Sequence, residues 1–164
     1  MPEPRGMGFV MRAFVDADHA GNLVTRRSRT AFIILLNNAP IYWLSKKQTG
    51  IETSSFGSEF MAMKHCTEYI RGLRYKLRMF GIPVDGPAFI FGDNQSVLAA
   101  TSALSSTLKK KSQSVAFHFL CEGCARDEWR TSYIHTSRNM ADLMTKPLSG
   151  NKRWGFVRKL LHHI

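Results

Sequence analysis

The segment from Pro87 to Ser102 constrains this chain more than any other. A short apolar run, Pro87 to Phe91, breaks at Gly92-Asp93-Asn94-Gln95-Ser96 and gives way to a helix-like Val97 to Ser102. An apolar run without polar alternation suits a strand buried on both faces at the centre of a sheet. Strand, acidic turn and helix in succession are the signature of an α/β structure. Upstream, Gly8 to Asp16 reads as a strand with Met11, Ala13 and Val15 on one face and Arg12, Phe14 and Asp16 on the other. Ala31 to Leu36 and Ile41 to Leu44, separated by the turn signal Asn37-Asn38-Ala39-Pro40, complete a three-stranded meander.

Between the meander and the central strand, Met63, Cys66, Ile70, Leu73, Leu77 and Phe80 step by three and four, predicting an amphipathic helix over 58–80 that Gly81-Ile-Pro83 stops. Glu59 falls one turn before Met63 on that stripe, as a first-turn acid favoured by the helix dipole or as a buried carboxylate that needs a positive partner. Further on, the spacing predicts a helix over 112–126, a short strand over 131–135, a helix start over 139–145 and a helical tail carrying Trp154, Val157, Leu160 and Leu161. The Pro- and Gly-containing opening, residues 1–8, reads as a linker from an upstream segment, 9–148 as one domain and 149–164 as the tail.

Charge and cysteine content narrow the function. Twenty-three Lys and Arg against twelve Asp and Glu leave +11 spread along the chain, which favours an anionic polymer, nucleic acid first, as partner. The same count would fit a basic protein drawn to an anionic membrane surface or to nothing at all. Three cysteines without a secretory signal argue for a reducing compartment. Cys121-Glu-Gly-Cys124 has the spacing of half a zinc site with no second pair to complete it, and reads as two cysteines on a helix face. No apolar stretch is long enough for a membrane span, so no membrane partner is expected.

Asp16 and Asp93 each end a strand-like run. If those strands are parallel neighbours, both carboxylates emerge at the sheet edge where α/β proteins hold ligands. Glu59 and Asp142 can reach the same edge. Four bare carboxylates in one cleft repel one another, but they are the hard oxygen ligands that Mg²⁺ or Mn²⁺ requires.

The motifs Asp16-Ala-Asp-His-Ala-Gly21, Ser54-Ser-Phe-Gly-Ser-Glu-Phe60, Gly92-Asp-Asn-Gln-Ser96 and Ala141-Asp-Leu-Met-Thr-Lys-Pro-Leu148 occur in this order. Together they resemble the ribonuclease H domain of copia-type retrotransposon Pol polyproteins, from about residue 9 to 148. The resemblance implies a ribonuclease H-like fold, a mixed five-stranded sheet flanked by helices on both faces. It also implies an endonuclease that cuts the RNA strand of RNA/DNA hybrids during reverse transcription, leaving 5′-phosphate products. Asp16, Glu59, Asp93 and Asp142 match the family's catalytic, metal-binding acids. They would hold two Mg²⁺ ions, with Mn²⁺ able to substitute and Asp16 bridging the pair. Glu59 and Asp93 would serve the ion beside the leaving 3′-oxygen, and Asp142 the ion that activates water.

An enzyme of this kind must recognise 2′-hydroxyls and duplex shape rather than base edges. Asn94, Gln95, Ser55 and Ser58 are the polar residues beside the acids, and Arg26, Arg27, Lys109, Lys110 and Lys111 are the candidate phosphate contacts. His135 is the candidate for proton transfer, and His118 matches a structural family histidine. His19, Gly57 and Ser112 depart from the family's usual Trp, Glu and His without removing an acid. These departures carry the alternative, a catalytically inactive nucleic-acid-binding remnant of the same fold. A DNA-only nuclease would share the fold and metals without these motifs. The resemblance further implies an upstream reverse transcriptase domain in the same polyprotein, no Tyr-x-Asp-Asp polymerase signature being present here, and an intracellular site of action, a cytoplasmic particle or the nucleus.

Overall fold

The computed structural model describes residues 8–82, 84, 86–102 and 111–161. The elements run β1 (Met11–Asp18), β2 (Arg29–Leu36), β3 (Ala39–Lys47), α1 (Ser55–Met79), β4 (Ala88–Gly92), α2 (Gln95–Ser102), α3 (Lys111–Ala125), β5 (Trp129–Tyr133), a 3₁₀ turn (Thr136–Arg138), α4 (Asp142–Thr145) and α5 (Gly150–Leu161). Most of the linker expected at 1–8, together with Lys109 and Lys110, lies outside the described residues; Lys111 opens α3. Among the described residues no helix is long and apolar enough to cross a membrane.

The five strands form one sheet in the order β3-β2-β1-β4-β5. The meander β1-β2-β3 is antiparallel, and Asp16 lies opposite Ala31 in its register. The crossover through α1 brings β4 back parallel to β1, Phe14 opposite Phe91, and β5 continues parallel to β4. With neighbours on both sides, β4 is an interior strand next to the central β1, and Phe89 and Phe91 on one of its faces stay half-buried where the apolar run predicts burial on both.

Helices cover both faces of this sheet. Met11, Ala13 and Val15 of β1 pack with Phe60, Met63, Cys66 and Ile70 of α1 and with Leu120 of α3 in the larger core. On the opposite face, Ile33 and Leu35 of β2 meet Met140 and Phe156, with Phe14 alongside. Within the helical tail expected at 149–164, α5 carries Phe156, which is 2 % exposed and closes that second core.

Three local details differ from the sequence reading. Helix α1 starts earlier, at Ser55, because Ser54 in extended backbone caps it and accepts the Gly57 N–H at 3.1 Å. Glu59 consequently sits in the second turn, where the dipole helps it little. Phe80, placed on the buried stripe by periodicity, is the C-cap residue and 80 % exposed, since the stripe runs past the last helical turn. Finally, β5 begins two residues early with Trp129, which is fully buried and donates its indole N–H to the Leu120 carbonyl at 3.2 Å.

Trp129 also explains the glycine of Cys121-Glu-Gly-Cys124. A Cβ on Gly123 would lie 1.9 Å from the indole ring, so only glycine lets α3 approach β5 this closely. Burial pushes both flanking thiols above their usual range, and the Cys121 Sγ faces the Thr101 carbonyl at 3.7 Å. Replacing Gly123 with Ala gains up to about 1 kcal/mol of helix propensity. It also forces a backbone or ring displacement costing about 3 kcal/mol or more. We expect a net loss of about 2 kcal/mol, read as a lower urea midpoint; an unchanged midpoint would mean the helix and ring are not held in this contact.

Candidate active site

Parallel pairing of β1 and β4 carries Asp16 and Asp93 to the same sheet edge, one within the last residues of its strand and the other directly after its strand. Glu59 arrives from α1, where it accepts the backbone N–H of Ala17 next to Asp16. Carboxylate oxygens of Asp16, Glu59 and Asp93 all lie within 4.8 Å of one another. The surrounding framework fixes each of them. Gln48 donates to the Ser58 carbonyl (2.9 Å) and to Thr30 (3.0 Å), tying the start of α1 to β2. Thr136 donates its hydroxyl to Asp93 at 2.9 Å.

The fourth expected acid stands apart from this trio. Asp142 is fully buried, and its two oxygens meet Lys146 Nζ at 3.1 Å and Lys152 Nζ at 2.7 Å. Lys146 also lies 3.6 Å from Asp16, and the Thr145 hydroxyl donates to the same Asp16 oxygen. A lysine ammonium is thus interposed between Asp16 and Asp142. Asn139, also fully buried, donates to the Val15 carbonyl at 2.9 Å and accepts from the Ala141 N–H at 3.2 Å, which pins the loop before α4 against β1.

Crowding and burial show in the proton affinities. Asp16 is 1 % exposed. Burial raises its pKa to about 6, assisted by Asp142 and Asp93 and opposed by the Thr145 hydroxyl and Lys146. Glu59 rises to about 8, through burial first and then through Asp16 and Asp93. Burial alone would lower the Lys146 pKa, but Asp16 and Asp142 more than offset it and raise it instead. Three hard oxygen donors around one point, with too little positive charge among them, fit a divalent cation such as Mg²⁺.

These shifts have a signed consequence in chelator. Asp16 and Glu59 titrate near 4 when unfolded and at about 6 and 8 when folded. The native state therefore binds more protons across that window, and stability falls as pH rises through it. We expect Tm in chelator to drop between pH 5 and 8 and Glu59→Gln to flatten the drop; a Tm that climbs over the same range in the parent protein would contradict this picture.

The remaining expected contacts divide by position. Ser55 and Gln95 are exposed at the starts of α1 and α2, and Arg26 and Arg27 are exposed on the turn that follows β1. Asn94 spends its side-chain oxygen capping α2, accepting the Ser96 and Val97 N–H groups at 3.1 and 3.3 Å. Ser58 does not face outward as a nucleic-acid contact would. It is fully buried, donates its hydroxyl to the Ser55 carbonyl at 2.9 Å and approaches the His19 ring at 3.4 Å, because it lies on the sheet-facing side of α1. His135 is exposed and accepts the Ser137 N–H at 3.2 Å through Nδ1.

Thr145, Lys146, Lys152, Asn139 and Thr136 hold the acids without a role read from sequence, although Thr145 and Lys146 belong to the 141–148 motif. The four-residue spacing of Asp142 and Lys146 was the available signal for one of them. Lys152 had none, since its contact depends on how α5 docks.

No protein-family model matches the chain. It is 29 % identical over 158 residues, 95 % of its length, to the retrovirus-related Pol polyprotein from transposon RE2 of Arabidopsis thaliana, and spans 11 % of that polyprotein. Among solved structures it superposes on LC11-RNase H1 in complex with an RNA/DNA hybrid with a TM-score of 0.60. That match has 15 % identity and covers 82 % of this chain and 92 % of the other. The chain is a homologue of transposon Pol polyproteins with the ribonuclease H fold. A viral neighbour, the foamy viral protease-reverse transcriptase in complex with an RNA/DNA hybrid, matches this chain with a TM-score of 0.53 and 14 % identity, over 88 % of this chain and 21 % of the viral one.

Proposed function

We propose that this Pol segment hydrolyses the RNA strand of an RNA/DNA hybrid with the help of two Mg²⁺ ions. The observation that carries the reading is the convergence of Asp16, Glu59 and Asp93 within 4.8 Å at the edge where β1 and β4 end. The hybrids bound to LC11-RNase H1 and to the foamy viral protein support the choice of substrate. Glu59 and Asp93 would hold the ion on the leaving-oxygen side, Asp142 would help to hold the one on the water side, and Asp16 would serve both. Bound Mg²⁺ supplies positive charge that polarises the attacking water and neutralises the departing 3′-oxygen, leaving 5′-phosphate and 3′-hydroxyl ends.

The protein's own side chains prepare this arrangement. Thr136 and Thr145 aim the Asp93 and Asp16 carboxylates by hydrogen bonds. Lys146 and Lys152 neutralise Asp142 and would have to withdraw for it to help hold a metal. His135, exposed beside Thr136, would carry a proton to the leaving oxygen. Ser55, Gln95 and the free amide of Asn94 offer groups to 2′-hydroxyls. Arg26 and Arg27, with Lys109, Lys110 and Lys111, hold phosphates. A reverse transcriptase domain of the same polyprotein, acting in a cytoplasmic particle or the nucleus, supplies the hybrid.

A second reading, the inactive nucleic-acid-binding remnant, draws on the two lysines that already neutralise the Asp142 charge. One assay separates the readings: matched labelled RNA/DNA hybrid, duplex RNA and duplex DNA, each with Mg²⁺ at low ionic strength. The proposal expects cleavage of the hybrid's RNA strand alone. Tight hybrid binding without cleavage favours the remnant, and cleavage of duplex DNA rules out hybrid specificity.

A further inference from the structure

A second charged site lies at the far end of α1. Glu59 and Arg74 are fifteen residues apart on one helix, roughly 22 Å along its axis. The sheet confirms the separation, because Glu128, directly before β5, bonds to Ala88 at the start of β4, whereas the acids gather where β4 ends. Here Arg71, Arg74, Tyr75, Arg78, Arg126 and Glu128 line a cavity of about 340 Å³. Four arginines and one glutamate line it, with Glu122 paired to Arg126 and Asp127 also acting on Arg74.

The arginines are not equivalent. Arg71 is locked in place: its Nε donates to Glu128 at 2.7 Å and its guanidinium lies over the rings of Phe119 (4.2 Å) and Trp129 (5.1 Å). Arg126 pairs with Glu122 at 3.0 Å. Arg74 is only 8 % exposed, and burial together with neighbouring Arg78 holds its guanidinium below the usual range. Among the described residues, Arg71 Nη2 and Arg74 Nη1 are both buried without a hydrogen-bond partner. Unpaired buried donors are costly, more so when charged, and a chain does not keep two of them in one cavity without compensation. Guanidinium forks match phosphate oxygens in charge and geometry.

We infer that this cavity binds a phosphate group, with Arg74 and Arg78 as its principal ligands and Arg71 held as a fixed third donor. The site is distinct from the acid cluster and takes its ligand independently of the metals. The phosphate can come from a nucleic-acid backbone or from a free phosphate compound, and the two sources separate experimentally.

The test uses the whole chain. Thermal stability is followed during titration with inorganic phosphate and pyrophosphate, against chloride at matched ionic strength, for the parent, Arg74→Met and Arg78→Gln. The inference expects saturable stabilisation by phosphate over chloride and a loss of at least about tenfold in phosphate affinity in each variant, the scale of one lost charged hydrogen bond. Arg78 is exposed, so Arg78→Gln keeps the test open even if Arg74→Met fails to fold. Hybrid binding at several salt concentrations assigns the source. A salt slope reduced by about one in Arg78→Gln means a backbone phosphate, and an unchanged slope in a variant that has lost phosphate binding means a free one. Stabilisation by phosphate no greater than by chloride, or equal in all three proteins, would overturn the inference. So would binding of a glutamate-rich peptide where phosphate does not bind.

Discussion

Asp93→Asn lowers hybrid cleavage by at least ~10³, equivalent to about 4 kcal/mol of transition-state stabilisation. The substitution keeps the side chain's shape, and the Thr136 hydroxyl can still donate to the remaining oxygen. What it removes is one anion of the trio. Circular dichroism and thermal melting should show a folded protein, at least as stable as the parent in chelator, because a crowded negative charge has gone. A folded Asp93→Asn protein that cuts as fast as the parent would show that Asp93 does not hold a metal.

Removing the metal has the largest effect of all: excess chelator should abolish cleavage, and added Mg²⁺ or Mn²⁺ should restore it. Carboxylates alone bind Mg²⁺ weakly, so half-maximal rates need far more metal than a site with nitrogen or sulfur ligands would. Because Glu59 holds its proton up to about pH 8, metal binding must displace it, and the metal concentration required should fall as pH rises from 6 to 8. Ca²⁺ should compete without supporting cleavage. Undiminished activity in chelator would end the metal-dependent account.

What the sequence revealed and what it hid follow from the range of the forces involved. β1, β2, β3, β4 and α1 were legible because each carries its own period or an unbroken apolar run. Phe80 was misplaced because periodicity has no knowledge of where the last helical turn ends, and Trp129 was missed because charged residues flank it on both sides. Arg74 was unreadable as a buried residue, since its burial depends on Arg71, Glu128 and the α3–β5 corner assembling around it. At the site, strand ends and motif order pointed to Asp16, Glu59 and Asp93. The position of Asp142 was harder: its partners Lys146 and Lys152 come from the turn after α4 and from a separate helix. Sequence offers Ser58 as a nucleic-acid contact because it is polar and beside Glu59, whereas its burial depends on how α1 packs on the sheet.

The most direct measurement is the anomalous scattering of Mn²⁺ in crystals of Asp142→Asn and of the parent chain, each grown with a short RNA/DNA hybrid. The account predicts a Mn²⁺ peak bonded to Asp16, Glu59 and Asp93 in both. In the parent alone it predicts a second peak at Asp16 and Asp142, with Lys146 and Lys152 withdrawn from Asp142. Saturating Mn²⁺ that leaves both lysines on Asp142 and no peak among the three acids would contradict it.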